Sequence, residues 1–459
     1  MTSNIDAIVA HGLNTQFEDI PERVVEKVKV FLLDSLGVGI SGAGAPLTSI
    51  VRDCASIWGK GDGAHTWGRG GSLQSAANAA FVNAFQIHCQ EYDCVHEPAV
   101  VHPMAVILAA VMAEIESSKN IVDGKSLTVA LTVAIDLAAG LGVAVSSPIR
   151  FFRPANAGLF GAVLAISRLR ALSPVETKSA LGHALAFCSG TMQAHIEGMP
   201  SLALQVANGA RSAIMAVDLA AEGIPGAQDS LEGPYGYLNL FEEAADLGPV
   251  VRTLGTTWRI ADVSHKPFPT GRAAQGGIVL IQQLMDKGVT ANNLESLKLL
   301  APPIIHRLVG RPVHQEMSIS YARLCFQYVG AVTLMKGSIG LDDYSVPALT
   351  NTETLALGKR ISVIDDGTAN PAAFTPQRAE AVLKDGHVVT AEISSLYGSP
   401  ASPMEREAHI LKFKTCLKFG FGTEAGDVAD KLIELTDRLE TIEDTSQLSR
   451  LAAGKDTQI

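Results

Sequence analysis

SLTVALTVAIDLAAGLGVAV, Ser126 to Val145, is the one stretch of this chain long enough to span a bilayer as a helix. Its composition argues against that use. Ala, Gly, Thr and Val dominate rather than Leu, Ile and Phe, and Asp136 sits near its centre, where lipid would leave a carboxylate without a partner. The stretch therefore reads as a helix buried in the core of a globular protein.

Similar texture extends to both sides. Apolar residues recur at helical spacing over Pro21 to Leu36, Ala76 to Gln90, Pro103 to Ile115 and Gly158 to Leu169. Gly-, Pro- and Ser-rich breaks separate the blocks at Gly42 to Pro46, Gly68 to Ser72, Ser146 to Pro154 and Gly198 to Ser201. No fixed-period repeat emerges. After about Lys266 the pattern changes: Arg378-Ala-Glu-Ala-Val-Leu and Val388-Val-Thr-Ala-Glu-Ile flank an Asp385-Gly386 turn and read as a β-hairpin. Ser296 to Leu300 and Arg360 to Asp365 are further strand candidates, while Glu405 to Phe419 and Ala425 to Leu439 return to helical periodicity with charged faces. The expected fold is predominantly α: a large all-helical domain over residues 1–265, rejoined by 400–459, and a smaller, lid-like α+β domain over 266–399.

Composition supports this frame. A chain of 459 residues exceeds one compact core, and 47% hydrophobic against 18% charged residues excludes a disordered chain. The net charge of −11, without any basic stripe, argues against nucleic-acid binding. The six cysteines are scattered without a CxxC pair, and the first residues carry no basic segment followed by an apolar block, so reduced thiols and a cytoplasmic location are expected. Gly37-Val-Gly-Ile-Ser-Gly42 matches GxGxxG, but helical spacing precedes it where a dinucleotide fold needs a strand.

The chemistry concentrates in Glu91-Tyr-Asp-Cys-Val-His-Glu-Pro-Ala-Val-Val-His-Pro103, which sets Asp93, His96, Glu97 and His102 between two Ala-rich runs without a Lys or Arg. Acid–base catalysis is the preferred reading. A helix-end capping cluster and a metal site are the alternatives.

Several segments together resemble the 2-methylcitrate dehydratase (PrpD/MmgE) family, which includes cis-aconitate decarboxylase and iminodisuccinate epimerase. They are Asp34-Ser-Leu-Gly37, Asn78-Ala-Ala-Phe-Val-Asn83 leading to Asp93 and His102-Pro103, Gly158-Leu-Phe-Gly161, His265-Lys-Pro-Phe-Pro-Thr270, Ser318-Ile-Ser-Tyr321, Asp385-Gly386 and Gly398-Ser-Pro400. The resemblance implies a homodimer with a site between its domains that needs no cofactor or metal. It also implies a small di- or tricarboxylate substrate and no nucleic-acid or membrane partner. Asp93, His102, Lys266 and Tyr321 occupy matching motif positions.

Read as chemistry, a proton on carbon beside a carboxylate needs a positioned base, and His96 or His102, oriented by Asp93, can supply one. Lys266, when charged, would hold a carboxylate or developing enediolate; when neutral, it would serve as a base. His265 is a neighbouring candidate for substrate binding. Two departures from the family pattern bear on the reaction. A lysine is replaced by Gln205, and a histidine proton donor gives way near Phe152 and Arg153. Fewer donors favour epimerisation over elimination, so the expected activity is a cofactor-independent epimerase acting on an iminodisuccinate-like dicarboxylate, with a lyase as runner-up and a non-catalytic acid binder third. Arg69, Arg150, Arg153 and Arg211 are the arginines considered for holding carboxylates.

Overall fold

The computed structural model describes residues 3–370 and 372–454. The N-terminal part is built of α1 (Asn4–Asn14), α2 (Glu22–Gly42), α3 (Thr48–Trp58), α4 (Ala76–His88), α5 (Pro103–Ser117), α6 (Gly124–Val143), α7 (Arg153–Leu169), α8 (Pro174–Phe187), α9 (Gln193–Glu197) and α10 (Ser201–Ala221). Helix α6 contains most of the stretch quoted first. Its start is set by Asp123, whose side chain accepts the Ser126 N–H at 2.7 Å. Among the described residues α6 alone is long and apolar enough to cross a membrane, and 89% of its most apolar window is buried inside the protein.

Asp136 is tolerated there because both its oxygens have partners. Oδ2 lies 3.1 Å from Nε2 of His11 on α1, and Oδ1 accepts the Arg259 N–H at 2.7 Å. Burial nevertheless pushes its pKa above the ordinary carboxylate value. Helix α7 packs on α6 at close range: a side chain at Gly161 would strike the carbonyl of Ala134. The glycines of the GxGxxG match lie inside α2, where Gly37 receives Phe413, Gly39 receives Trp67 and Gly42 meets the backbone of Gln86. They serve helix packing, not a phosphate loop.

Two large hydrophobic cores result, and a third, small cluster gathers Val51, Phe81, Phe85 and Ala203. The larger gathers apolar residues between Ile5 and Val263, together with Phe413 to Ala452 from the C-terminal tail. The helix Arg406–Phe421 lies along α2, which brings that tail back to the larger core. The smaller core gathers residues between Ala273 and Leu396.

Two short antiparallel ladders, β1 (Ala64–His65) with β2 (Leu73–Gln74) and β3 (Val95–His96) with β4 (Val263–Ser264), decorate the helical part. The smaller core holds a four-stranded sheet of β5 (Leu294–Ala301), β6 (Ile361–Asp365), β7 (Gln377–Leu383) and β8 (Val388–Ile393) in the order β6-β5-β7-β8. The β5–β6 pair is parallel and the others antiparallel. Strands β7 and β8 form the hairpin expected around Asp385-Gly386, with Gly386 at φ 87°. The helices Arg272–Asp286 and Phe326–Lys336 pack together over this sheet. The fold is mostly α with a smaller α+β part.

Candidate active site

The segment between α4 and α5 folds back on itself. The His96 N–H donates to the Val101 carbonyl at 2.8 Å and the Val101 N–H returns to His96 at 3.3 Å. Glu91 and Val100 both adopt φ 51°, left-handed conformations that non-glycine residues hold only when their surroundings impose them. Pro103 opens α5 at its first position and places His102 at the helix N-cap. His88 closes α4 at the other end.

Asp93 is fully buried between these two histidines. Its Oδ2 lies 2.9 Å from His88 Nδ1 and 3.1 Å from His102 Nδ1, and the rings meet edge to face at 5.0 Å. One carboxylate thus orients both imidazoles through Nδ1 and leaves both Nε2 atoms for other work. Behind Asp93, Lys266 Nζ lies 3.7 Å from Asp93 Oδ1 and 2.9 Å from Glu91 Oε2. His88 Nε2 is 3.8 Å from the other Glu91 oxygen.

These charges separate the two histidines. Burial disfavours a charged ring at His88, but Asp93, aided by Glu91, outweighs it and raises the His88 pKa above its ordinary value. At His102 burial prevails, helped by the Lys266 charge, and the pKa falls below the ordinary value despite Asp93. Burial acts on Asp93 in the opposite sense, yet His102, His88 and Lys266 hold it well below the usual carboxylate range. Glu91, against the same burial effect, is pulled down to about 2, chiefly by Lys266. The arrangement makes His88 the ring that holds a proton more readily and His102 the ring that holds it less readily, across one ionised aspartate.

Two cavities flank this cluster and share His88, Glu91, Leu202 and Leu324. The first, of about 70 Å³, also takes in His102, Phe152, His195 and Gly271 to Ala273. The second, of about 70 Å³, runs along Leu47, Phe85, Met199 and Ala203 and includes Arg323.

The sequence matches the MmgE/PrpD N-terminal domain over residues 7–249 and the MmgE/PrpD C-terminal domain over 268–438. The chain belongs to the MmgE/PrpD family. It is 26% identical to cis-aconitate decarboxylase of Mus musculus over 98% of this chain and 92% of that protein. The Homo sapiens cis-aconitate decarboxylase is 26% identical over 98% and 94%, and that of Aspergillus terreus strain NIH 2624 is 24% identical over 96% and 92%. The chain is thus a family member whose named relatives are decarboxylases.

Against this background the residues singled out from sequence divide sharply. Asp93, His102 and Lys266 meet in one cluster. His96 does not join them: Val95 on β3 lines the first cavity, so its neighbour points to the other side of the strand. His96 Nδ1 accepts the Ala99 N–H at 3.2 Å, and burial, with the Arg259 charge, lowers its pKa to about 4. Lys266 lines neither cavity and serves as the buried counterion of Glu91 and Asp93. His265 faces away from Lys266 toward His409, with ring centroids 4.8 Å apart.

Arg153 is not free for a substrate. Its Nε and Nη2 donate to the two Glu242 oxygens at 2.7 and 3.0 Å, and Nη1 donates to the Ala99 carbonyl at 3.1 Å. Arg69 is exposed beside Gly422, and Arg150 is an exposed partner of Glu243. Arg211 sits over the Trp58 ring at 5.0 Å. Gln205 packs against Gly190 and lines neither cavity. Tyr321 turns outward, its hydroxyl donating to the Pro312 carbonyl at 2.7 Å and its ring against His314.

Residues that the sequence reading passed over take their places. His88 was hidden as an ordinary helix-end histidine, and Glu91 opened the quoted segment without being given a role. Arg272 begins the helix Arg272–Asp286, which has no side-chain cap. Its Nε donates to Glu97 Oε1 at 2.7 Å and Nη1 to the carbonyls of His265 and Tyr397, while Nη2 is buried without a partner among the described residues. A spare guanidinium N–H at an uncapped helix N-terminus, on the wall of the His102 cavity, is an anion-binding arrangement.

Proposed function

We propose that this protein is a lyase that rearranges bonds beside a substrate carboxylate, using His102 as base and His88 as acid. The observation that carries the reading is Asp93, which orients both imidazoles through Nδ1 while their surroundings drive their pKa values apart. The substrate carboxylate sits on the Arg272 Nη2–H and the first amides of its helix. His102 Nε2 removes a proton from the adjacent carbon, and negative charge develops on that carboxylate. In an elimination the protonated His88 then delivers its proton to the departing oxygen; in a decarboxylation no proton is removed first, and the electron pair that departing carbon dioxide leaves on carbon is protonated by His88. Asp93 and Lys266 act as positioning residues: Asp93 holds the rings, and Lys266 keeps Glu91 and Asp93 ionised in a buried setting. The decarboxylase names of the relatives support this reaction class.

Epimerisation, including that of an iminodisuccinate-like substrate, remains the second reading. It is favoured by Arg153, which stands where the resemblance places a proton donor and is locked onto Glu242. It was preferred from sequence because donors had been lost; His88 supplies one and shifts the balance toward a lyase. Incubation with cis-aconitate, 2-methylcitrate and iminodisuccinate in deuterated water separates the readings. A lyase changes the carbon skeleton or forms or consumes an alkene, whereas an epimerase incorporates deuterium at one carbon and inverts it. Full activity of His102→Gln in either reaction would remove His102 as the base.

A further inference from the structure

The catalytic cluster is polar, but the space around it is not. The cavity of about 70 Å³ extending from His88 and Glu91 is walled by Leu47, Phe85, Met199, Leu202, Ala203 and Leu324. Its rim is apolar as well, with Leu47 40% and Met199 46% exposed. Arg323, its cation, is committed in part, with Nε buried without a hydrogen-bond partner among the described residues. Nη1 donates to the carbonyls of Gln90 and Pro269 at 2.6 and 3.1 Å, and the guanidinium lies 4.1 Å over the Tyr344 ring. The arginines expected to surround a compact polycarboxylate are elsewhere: Arg153 is tied to Glu242, and Arg69 and Arg150 face solvent.

We infer that the substrate of this site is a carboxylic acid with an apolar arm: its carboxylate lies at Arg272 in the His102 cavity, and the arm fills the Phe85 cavity. The inference rests on the proton-transfer reading above and specifies what that site accepts. The two cavities meet at His88 and Glu91, so a ligand spanning them carries its reacting carbon past the histidines. A small polycarboxylate would leave the walls around Phe85 and Leu202 in contact with water, whereas an alkyl or aryl substituent removes that surface from water at a gain of about 0.8 kcal/mol per methylene in transfer, or roughly fourfold in affinity.

The test is a titration of the full-length protein with succinate and its methyl, propyl and pentyl derivatives, read by calorimetry. Affinity should rise by up to about fourfold per methylene and reach at least tenfold between the methyl and pentyl compounds. Ala203→Phe should abolish the rise by filling the cavity. Leu47→Gln, at the exposed rim, should reduce it without touching the core. Flat or falling affinity along the series, no binding of any member, or an unchanged slope in both variants would overturn the inference. Exchange of the α-protons in deuterated water, run on the same acids, keeps the two claims separate. Exchange with a flat series removes the apolar arm and keeps the proton-transfer site, while a steep series without exchange keeps the arm and removes His102 as base.

Discussion

Two clusters in this molecule contain one aspartate, two histidines and one lysine, and they are arranged in opposite ways. At Asp93 the histidines are close, 2.9 and 3.1 Å from one oxygen, and Lys266 stands off at 3.7 Å. At Asp34 the lysine is close, Lys412 Nζ at 2.7 Å, while His409 Nε2 stands off at 3.8 Å beside the His265 ring. Where the carboxylate holds the rings, one histidine gains affinity for a proton and the other loses it. Where the lysine occupies the carboxylate, burial dominates, and His265 and His409 fall to about 3 and about 4. The same residue types drive two histidine pKa values apart in one place and lower both in the other. The clusters are joined through Tyr92, whose carbonyl accepts from Lys412 at 3.0 Å and whose hydroxyl donates to Pro267 at 3.2 Å.

The comparison breaks most easily at the rings. His102→Gln should reduce turnover by about 10²–10⁴-fold, the range for losing a positioned proton carrier, whereas His409→Gln should change it by less than about tenfold. Steady-state rates on the established substrate decide this, and equal losses would erase the distinction.

Next come the lysines. Lys266→Met leaves Glu91 and Asp93 buried without their cation and should destabilise the fold by about 3–5 kcal/mol in urea unfolding. Lys412→Met strands only Asp34 and should fall at or below the lower end of that range.

The rate should follow a bell-shaped pH profile. Its acid limb reports protonation of His102 and lies below the ordinary histidine value of 6.5; its alkaline limb reports deprotonation of His88 and lies above it. His88→Gln should remove the alkaline limb from the residual activity.

The smallest effect concerns stability against pH. His265 and His409 have folded pKa values below the unfolded value, so protons favour the unfolded chain. Stability should decline as pH falls below 6.5 and continue to decline toward about 3 to 4. Glu91, depressed to about 2, adds a further loss between its unfolded value of 4.5 and about 2. Thermal midpoints across this range should show His409→Gln with a shallower decline between pH 6.5 and 4 than the parent.

Much of the fold was legible because its signals are local. The β7–β8 hairpin announced itself through period-two alternation around Asp385-Gly386, and α6 through length, small residues and a central aspartate. The candidate site was legible where contacting groups are near in sequence, as with Asp93 and His102. It was illegible where a partner is distant. Arg153 finds Glu242 across 89 positions and Arg272 finds Glu97 across 175, and spacing along the chain marks neither. That His96 stands apart from the Asp93 cluster was illegible because the β3–β4 ladder that holds it is two residues long on each side and has no periodicity to read.

By itself the sequence determined the helical core, the hairpin of the smaller part, the family motifs and the segment that holds Asp93 and His102 close together, since these follow from hydrophobic period, turn residues and local clustering. The tertiary structure alone decided which groups in that segment act together. Proton affinity is set by burial and by charges a few ångströms away, and only folding brought His88, His102 and Lys266 around Asp93 while consigning His265 to Asp34 and Arg153 to Glu242.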